Sequence, residues 1–369
     1  MSTINDIFRQ YGAAYRARYG DRMLPSHRAA MAALEACRTE ALGGHVYTCA
    51  SCAITRYSYH SCKNRHCPTC QQDAAQTWLA RQQDLLLPVP YFLVTFTLPP
   101  ALRDLARTHQ RQLYSLLFHA SAAALQQLAC DPRFLGGQIG MLGVLQTWTR
   151  DLRFHPHVHY LVPAIALAPN GTLRRPRNAA FLVPVKALAM LFRAKLQSAL
   201  RQTDLYAQVV PATWQQAWVV DCRAVGSGAA ALKYLAPYIF RVALSNNRII
   251  SVQNDRVTFR YRDGKTKQIR TCTLPALTFM SRFLQHVLPK GFVKVRYYGL
   301  FSHRQRQLMV QLQQRLLPAT PISTALVPTP PREAALTAPR AVVCPGCGQP
   351  MVAAVLYPAR SRSPPAVAR

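Results

Sequence analysis

Three histidines stand at alternate positions in the stretch FHPHVHYLV, residues 154–162: His155, His157 and His159. Along an extended chain alternate side chains share a face. His157 and His159 would therefore present two imidazoles to one divalent ion, with Val158 turned into a core behind them. His155 has the same parity, but Pro156 bends the approach to it. Gln146, on the preceding strand-like segment, and His155 are the candidates for a third ligand. Further along, in GAAALKYLAPYIFR, Tyr234 and Tyr238 sit four apart, on one side of a helix if it is continuous. Pro237 falls between them, where proline removes a hydrogen bond at a cost of about 3 kcal/mol and predicts a kink. A phenol of ordinary pKa, near 10, is a weak nucleophile. Lys233, Arg241 or a bound metal would favour its phenolate. Alone, an HxH pair reads as surface histidines and a tyrosine pair as core packing. Together, a pair of imidazoles able to hold a divalent ion and a pair of hydroxyls later in the chain weigh more than either alone.

A second group of residues suits a different metal. Cys49-x2-Cys52 and Cys67-Pro-Thr-Cys70 are two knuckles separated by 14 residues. Their four thiolates suffice for one tetrahedral structural Zn²⁺ with no open position. Cys37, His45, His60, Cys62 and His66 are left over, and Cys37, His45 and Cys62 are the better candidates for a second zinc. Lys63, Arg65 and Arg56 lie within this segment, which would hold basic side chains against DNA. Cys344-Pro-Gly-Cys347 is a third knuckle with no cysteine after it. It would need partners from elsewhere, such as Cys130, Cys222 or Cys272, and otherwise reads as a degenerate half-ribbon.

The 369 residues carry 45 Lys+Arg against 14 Asp+Glu, a formal charge of +31. Arginine outnumbers lysine 37 to 8, and its planar fork matches phosphate oxygens bidentately. A GC-rich coding sequence would also favour arginine, but it accounts less well for the scarcity of acids. The partner class is nucleic acid. In LPKGFVKVRYYGLFSHRQRQ, Lys294 and Arg296 alternate with Tyr297, Tyr298 and Phe301, a pattern that suits unstacked bases as well as an ordinary basic strand. No apolar run reaches the ~18 residues of a membrane span. No signal peptide is seen at the start, so cysteines mixed with histidines point to metal and not to disulfides.

These residues need elements to position them. YFLVTFTL, MLGVLQTW and HVHYLVPAIAL read as strands, the last two joined by a turn around Arg150–Leu152. PVKALAMLFRAKLQSALRQ and LPALTFMSRFLQHVLP have helical spacing. VTFRYRDGKTKQIR reads as a hairpin turning at Asp263-Gly264, and FVKVRYYGL as another strand. The class is α+β around a mainly antiparallel sheet. Composition divides the chain into a zinc-binding region (1–85), a mixed region (86–317) and a Pro-rich linker with a basic tail (318–369).

The order of cysteine cluster, HPHVH strand and Tyr-x3-Tyr resembles the two-tyrosine HUH rolling-circle transposases of bacterial insertion sequences, the insertion sequence 91 type. CKNRHCPTCQ, ALKYLAPYIFR and FLQHVLPKGFVKVRYYG look like signatures of that family, and the likeness runs from about Cys37 to Leu300. It implies a zinc-ribbon-like domain and an RRM-like antiparallel-sheet HUH endonuclease domain, with the histidines on a central strand and the tyrosines on a facing helix. It further implies Tyr234 and Tyr238 as nucleophiles that cut single-stranded DNA through a 5′-phosphotyrosine, and Mg²⁺ or Mn²⁺ at His157 and His159. DNA recombination would need no ATP, and no Walker-type loop occurs here. The expected location is the bacterial cytoplasm, at the nucleoid. A plasmid or phage replication initiator or a relaxase would share the chemistry. A non-catalytic zinc-dependent DNA-binding protein would share only the cysteines and the charge.

Overall fold

β-Branched and aromatic residues with period two build the central sheet. The computed structural model describes residues 2–240, 243–264, 266–316 and 342–357, with backbone alone at 72–73, 234, 237–238, 240 and 354–357. The elements, in order, are α1 (Ile4–Tyr19), α2 (Pro25–Ala36), β1 (Gly44–Thr48), β2 (Thr55–Tyr59), α3 (Gln72–Gln83), β3 (Pro90–Thr97), α4 (Arg103–Thr108), α5 (Gln110–Cys130), β4 (Gln138–Trp148), β5 (Phe154–Pro163), β6 (Ala166–Leu167), β7 (Leu173–Arg174), α6 (Val185–Arg201), β8 (Val220–Ser227), α7 (Gly228–Phe240), β9 (Ile249–Gln253), β10 (Arg256–Arg262), β11 (Ile269–Pro275), α8 (Ala276–Leu284), β12 (Val295–Gly299), α9 (Arg306–Leu316) and β13 (Val352–Tyr357). The central sheet runs β7-β6-β4-β5-β3-β8, with β12 also on β4, and every pairing in it is antiparallel. The α+β class and the mainly antiparallel sheet expected from sequence are observed.

Alternation sorts the residues of this sheet by face. Phe92, Val94, Phe96, Val158, Tyr160 and Val162 bury against α5 and α6, where Phe118 and Phe192 complete the core. Each such side chain contributes on the order of 2 kcal/mol by leaving water. Tyr160 is satisfied within that core, donating to Phe118 O at 3.0 Å, with Ser121 Oγ at 2.8 Å. Its ring lies across the partner strand, where a Cβ on Gly143 would meet it at 2.6 Å. The opposite face carries Leu93, Leu142, Val144 and Leu161, which pack with Leu232 and Leu235 of α7 and Leu312 of α9. That face is therefore apolar at one end of β5. At the other end its residues are His155, His157 and His159.

A second core joins the two halves of the chain. Ile4, Ile7 and Phe8 of α1 and Met31 and Leu34 of α2 bury with Phe259, Phe279, Met280 and Phe283 of β10 and α8. The helix α1 is secured by a capping box: Asp6 N–H donates to Thr3 Oγ1, and Thr3 N–H to the Asp6 carboxylate. Residues 1–85 thus share apolar contacts with residues 243–287 and do not form a core of their own. The C-terminal segment also departs from its reading as a tail, because β13 pairs with β1 in a β13-β1-β2 sheet. Most of the Pro-rich linker and the end of the basic tail lie outside the described residues. No described helix is long and apolar enough to cross a membrane.

Buried and half-buried neutral histidines make this packing sensitive to acid. Burial pulls the pKa of His27 down to about 4 and that of His286 to about 3, and puts that of His66 well below its usual range. Unfolded histidine titrates near 6.5. Between these values the unfolded chain holds more protons, so stability is fully present above pH 6.5 and falls as the pH drops toward 3–4. At about 1.4 kcal/mol per unit, His286 alone accounts for a loss on the order of 5 kcal/mol by pH 3. Urea midpoints measured from pH 7.5 to 4.5 should fall steadily below 6.5. A midpoint flat over that range would show these histidines to take up protons in the folded chain as readily as in the unfolded one.

Candidate active site and thiolate clusters

The register of β5 brings four polar groups together. Gln146 on β4 lies opposite His157, and Thr95 on β3 lies opposite His159. All four side chains share the face that carries Leu161. The His157 and His159 rings are 4.7 Å apart, and both are buried. His157 Nδ1 lies 2.6 Å from the His155 carbonyl oxygen, an acceptor. That contact fixes the proton on Nδ1 and leaves Nε2 with a lone pair. His159 Nδ1 lies 2.8 Å from Thr95 Oγ1, and its Nε2 lies 3.3 Å from Gln146 Oε1. Gln146 is oriented by its own amide, which donates to Trp148 O at 3.0 Å.

Burial keeps both rings neutral. For His157 burial comes first, then the charge of His159, and the pKa falls well below its usual range. For His159 burial and then Arg223 bring it to about 4. Neutral imidazoles and an amide oxygen make an N2O donor set that suits Mn²⁺ well and Mg²⁺ less readily. His155 is placed otherwise. Its Nδ1 takes a hydrogen bond from Arg103 at 2.8 Å, and it forms no group of three close ligands with His157 and His159. Of the two candidates for a third ligand, Gln146 is the one beside the pair.

Two adjoining clefts meet at His157. One, of about 780 Å³, is bordered by Gln146, His155, Arg150, Arg223 and the first turn of α7 at Ala230 and Ala231. The other, of about 460 Å³, is bordered by His159, Arg248, Arg260, Arg262 and Ala243. The helix α7 therefore starts at one cleft, and the chain just past its end reaches the other. It packs on β3, β4, β5 and β8 and runs without a break through Pro237. Tyr234 and Tyr238 occupy its second and third turns. Their side chains, and Arg241 as a whole, lie outside the described residues, and Lys233 is exposed. The arginine wall was not read from the sequence. Its members come from four separate segments, and only their convergence marks them.

The cysteines form two quartets, not the one expected. Cys37, Cys62, Cys67 and Cys70 lie with all sulfurs within 4.8 Å of one another, and so do Cys49, Cys52, Cys344 and Cys347. This corrects the assignment of Cys49, Cys52, Cys67 and Cys70 to a single zinc: the two knuckles belong to different sites. Cys37 and Cys62 are ligand candidates as expected, but His45 is not beside them. Its ring stacks edge-on with His60 at 5.1 Å. His66 is a structural acceptor, taking the Leu288 N–H at 3.2 Å. Cys130, Cys222 and Cys272 join neither quartet.

Several basic residues expected at DNA serve the fold. Arg65 donates to Phe292 O at 2.6 Å and Pro289 O at 2.8 Å. The Lys294 ammonium lies 4.8 Å from the Trp148 ring centroid, and burial lowers its pKa to about 7. The Arg296 guanidinium lies 4.5 Å from the Phe118 centroid and donates to Ser115 Oγ. Of the aromatics in that segment Phe292 lies 5.4 Å from the Arg296 guanidinium, whereas Tyr297 donates to Gln82 Oε1. Lys63, with φ of 51°, is exposed.

Comparison with known proteins defines the class. Residues 140–308 match the family described as "Putative transposase", and residues 7–98 the family described as "Transposase zinc-binding domain". The molecule is a transposase with an N-terminal metal-binding module. "Putative transposase y4qJ" of Sinorhizobium fredii (strain NBRC 101917 / NGR234) is 37% identical to it, over 94% of this chain and 93% of that one. "Transposase for insertion sequence element IS801" of Pseudomonas savastanoi pv. phaseolicola is 29% identical, over 86% of this chain and 80% of its own. The chain belongs to the insertion sequence 91 family of transposases. No solved structure matches it significantly.

Proposed function

We propose that this transposase nicks and rejoins single-stranded DNA through a 5′-phosphotyrosine, as in rolling-circle transposition. The observation that carries the reading is the shared sheet face on which His157, His159 and Gln146 converge beside α7, the helix that bears Tyr234 and Tyr238. A Mg²⁺ or Mn²⁺ ion held by His157 Nε2, His159 Nε2 and Gln146 Oε1 would supply Lewis acidity to the scissile phosphate. Arg150, Arg223, Arg248 and Arg262 give the clefts a positive lining for the backbone on either side. The tyrosine hydroxyl attacks phosphorus, the P–O3′ bond breaks, and the phenolic proton leaves to solvent as the 3′ oxygen gains one. One phosphodiester is exchanged for another, so no ATP is needed. A second tyrosine four residues on permits a second transfer while the first end stays bound. The zinc module and Lys63 would bind DNA beside the clefts, and Lys233 and Arg241 would favour the phenolate.

The test uses a labelled single-stranded oligonucleotide carrying an end of the element. A covalent adduct should form only with Mg²⁺ or Mn²⁺ and disappear in Tyr234→Phe/Tyr238→Phe. An adduct that persists in the double variant removes the tyrosines from the mechanism. A DNA complex with no adduct under any condition would favour a binding protein.

A further inference from the structure

The quartet Cys49, Cys52, Cys344 and Cys347 draws its halves from the two ends of the chain. Cys344 and Cys347 lie beyond both family matches, which end at residues 98 and 308. The Cys49–Cys347 sulfurs are 3.5 Å apart, Cys52–Cys344 3.3 Å and Cys52–Cys347 3.7 Å. A tetrahedral Zn²⁺ with Zn–S near 2.3 Å requires S···S of about 3.8 Å, whereas a disulfide requires about 2.05 Å.

The backbone repeats the same device on each side. Ala53 N–H donates to Cys49 O at 3.0 Å, and Gly348 N–H to Cys344 O at 2.9 Å. The residue after each second cysteine is left-handed, with φ of 56° at Ala53 and 74° at Gly348. Two matched turns therefore aim four sulfurs at one point. The halves are also held together without a metal. Strand β13 pairs along β1 from Gly44↔Tyr357 to Thr48↔Val352. Cys49, Cys344 and Met351 form a small buried cluster with Tyr47 and Val342 against it.

We propose that these four cysteines form a second, split zinc site, in which residues 342–357 complete a ribbon begun by residues 44–59. Four thiolates and no open position make it structural. The ion ties the C-terminal segment to the N-terminal module, and the whole histidine and tyrosine region lies in the chain between its two halves. This site is separate from the Cys37 quartet, so the full chain holds two zinc ions.

The test is metal content of the full-length protein after dialysis that strips weakly held divalent ions. Two zinc ions per chain are expected, falling to one in Cys344→Ser/Cys347→Ser and equally to one in Cys49→Ser/Cys52→Ser. In the second variant, amide exchange over 342–357 should rise at least tenfold, although the substitutions lie at the other end of the chain. Because a variant could fail to fold, Co²⁺ titration of the unaltered protein gives an independent reading: thiolate charge-transfer absorbance should reach the intensity of two four-cysteine sites. One zinc in the full chain, two retained without Cys344 and Cys347, or a disulfide-linked peptide joining the two knuckles would each overturn the proposal.

Discussion

Replacing either His157 or His159 with alanine should abolish metal-dependent adduct formation, a fall of about 10³-fold or more in single-turnover rate, since a ligand matters more than the outer-shell groups worth 10–100-fold. The expectation follows from the burial of both rings, from the His157 hydrogen bond that leaves a lone pair on its Nε2, and from Gln146 Oε1 beside His159 Nε2. Gln146→Ala should cost less than either, because water can replace a neutral amide oxygen on such an ion. Gln146→Glu should keep or tighten Mn²⁺ binding, because a carboxylate oxygen has the same reach and adds charge. Mn²⁺ affinity measured by calorimetry separates these effects from folding. Thermal unfolding should change little, since no core aromatic loses its packing. Unaltered Mn²⁺ affinity in both alanine variants would show that the metal sits elsewhere.

Substituting Cys67 should have the largest effect on stability. Cys67 is fully buried in the core that joins α1 and α2 to α8, and its sulfur lies 3.6 Å from Cys37 Sγ and 3.6 Å from the Asn5 amide. Structural zinc in small domains contributes about 10–16 kcal/mol, as much as the 5–15 kcal/mol that holds a whole domain folded. Cys67→Ser should therefore unfold α1, α2 and the contacts they make, seen as loss of the cooperative melting transition. Prolonged chelation of the unaltered protein should do the same. A Cys67→Ser protein that melts as the parent does would make this quartet dispensable.

Much of this site was legible in the chain because its signals are local. Period two in YFLVTFTL and HVHYLV placed His157 and His159 on one face, and the register then brought Gln146 to them. Helical spacing found α6 and α8. The cysteine grouping was not legible, because a CxxC knuckle carries no mark of its partner. Cys52 is 15 residues from Cys67 and almost 300 from Cys344, yet pairs with the latter. Pairing of β1 with β13 decides the matter, and that is a long-range fact. Lys294 and Arg296 misled for a different reason. A basic side chain on a strand looks the same in sequence whether it faces a polyanion or lies on a distant ring such as Trp148 or Phe118. Pro237 does not end α7, which stays helical from Gly228 to Phe240. The arginines at 150, 223, 248 and 260–262 carry no motif, and only a folded cleft collects them.

The two ends of β5 live in different surroundings, and this governs how the molecule can move. Hydrogen bonds to β4 and β3 run along both sides of the strand, and its back face is sealed by Val158, Tyr160 and Val162. The imidazoles inherit the stiffness of that lamina, since shifting one means shearing two ladders at once. The surrounding walls are built otherwise: an edge strand, β8, with mostly exposed residues, and the turn between β10 and β11. Such segments open at far lower free energy than a central strand. The molecule thus resembles an anvil with adjustable jaws: on the proposed mechanism a reacting phosphate would meet a fixed point while the polymer on either side would be accommodated by parts that can give.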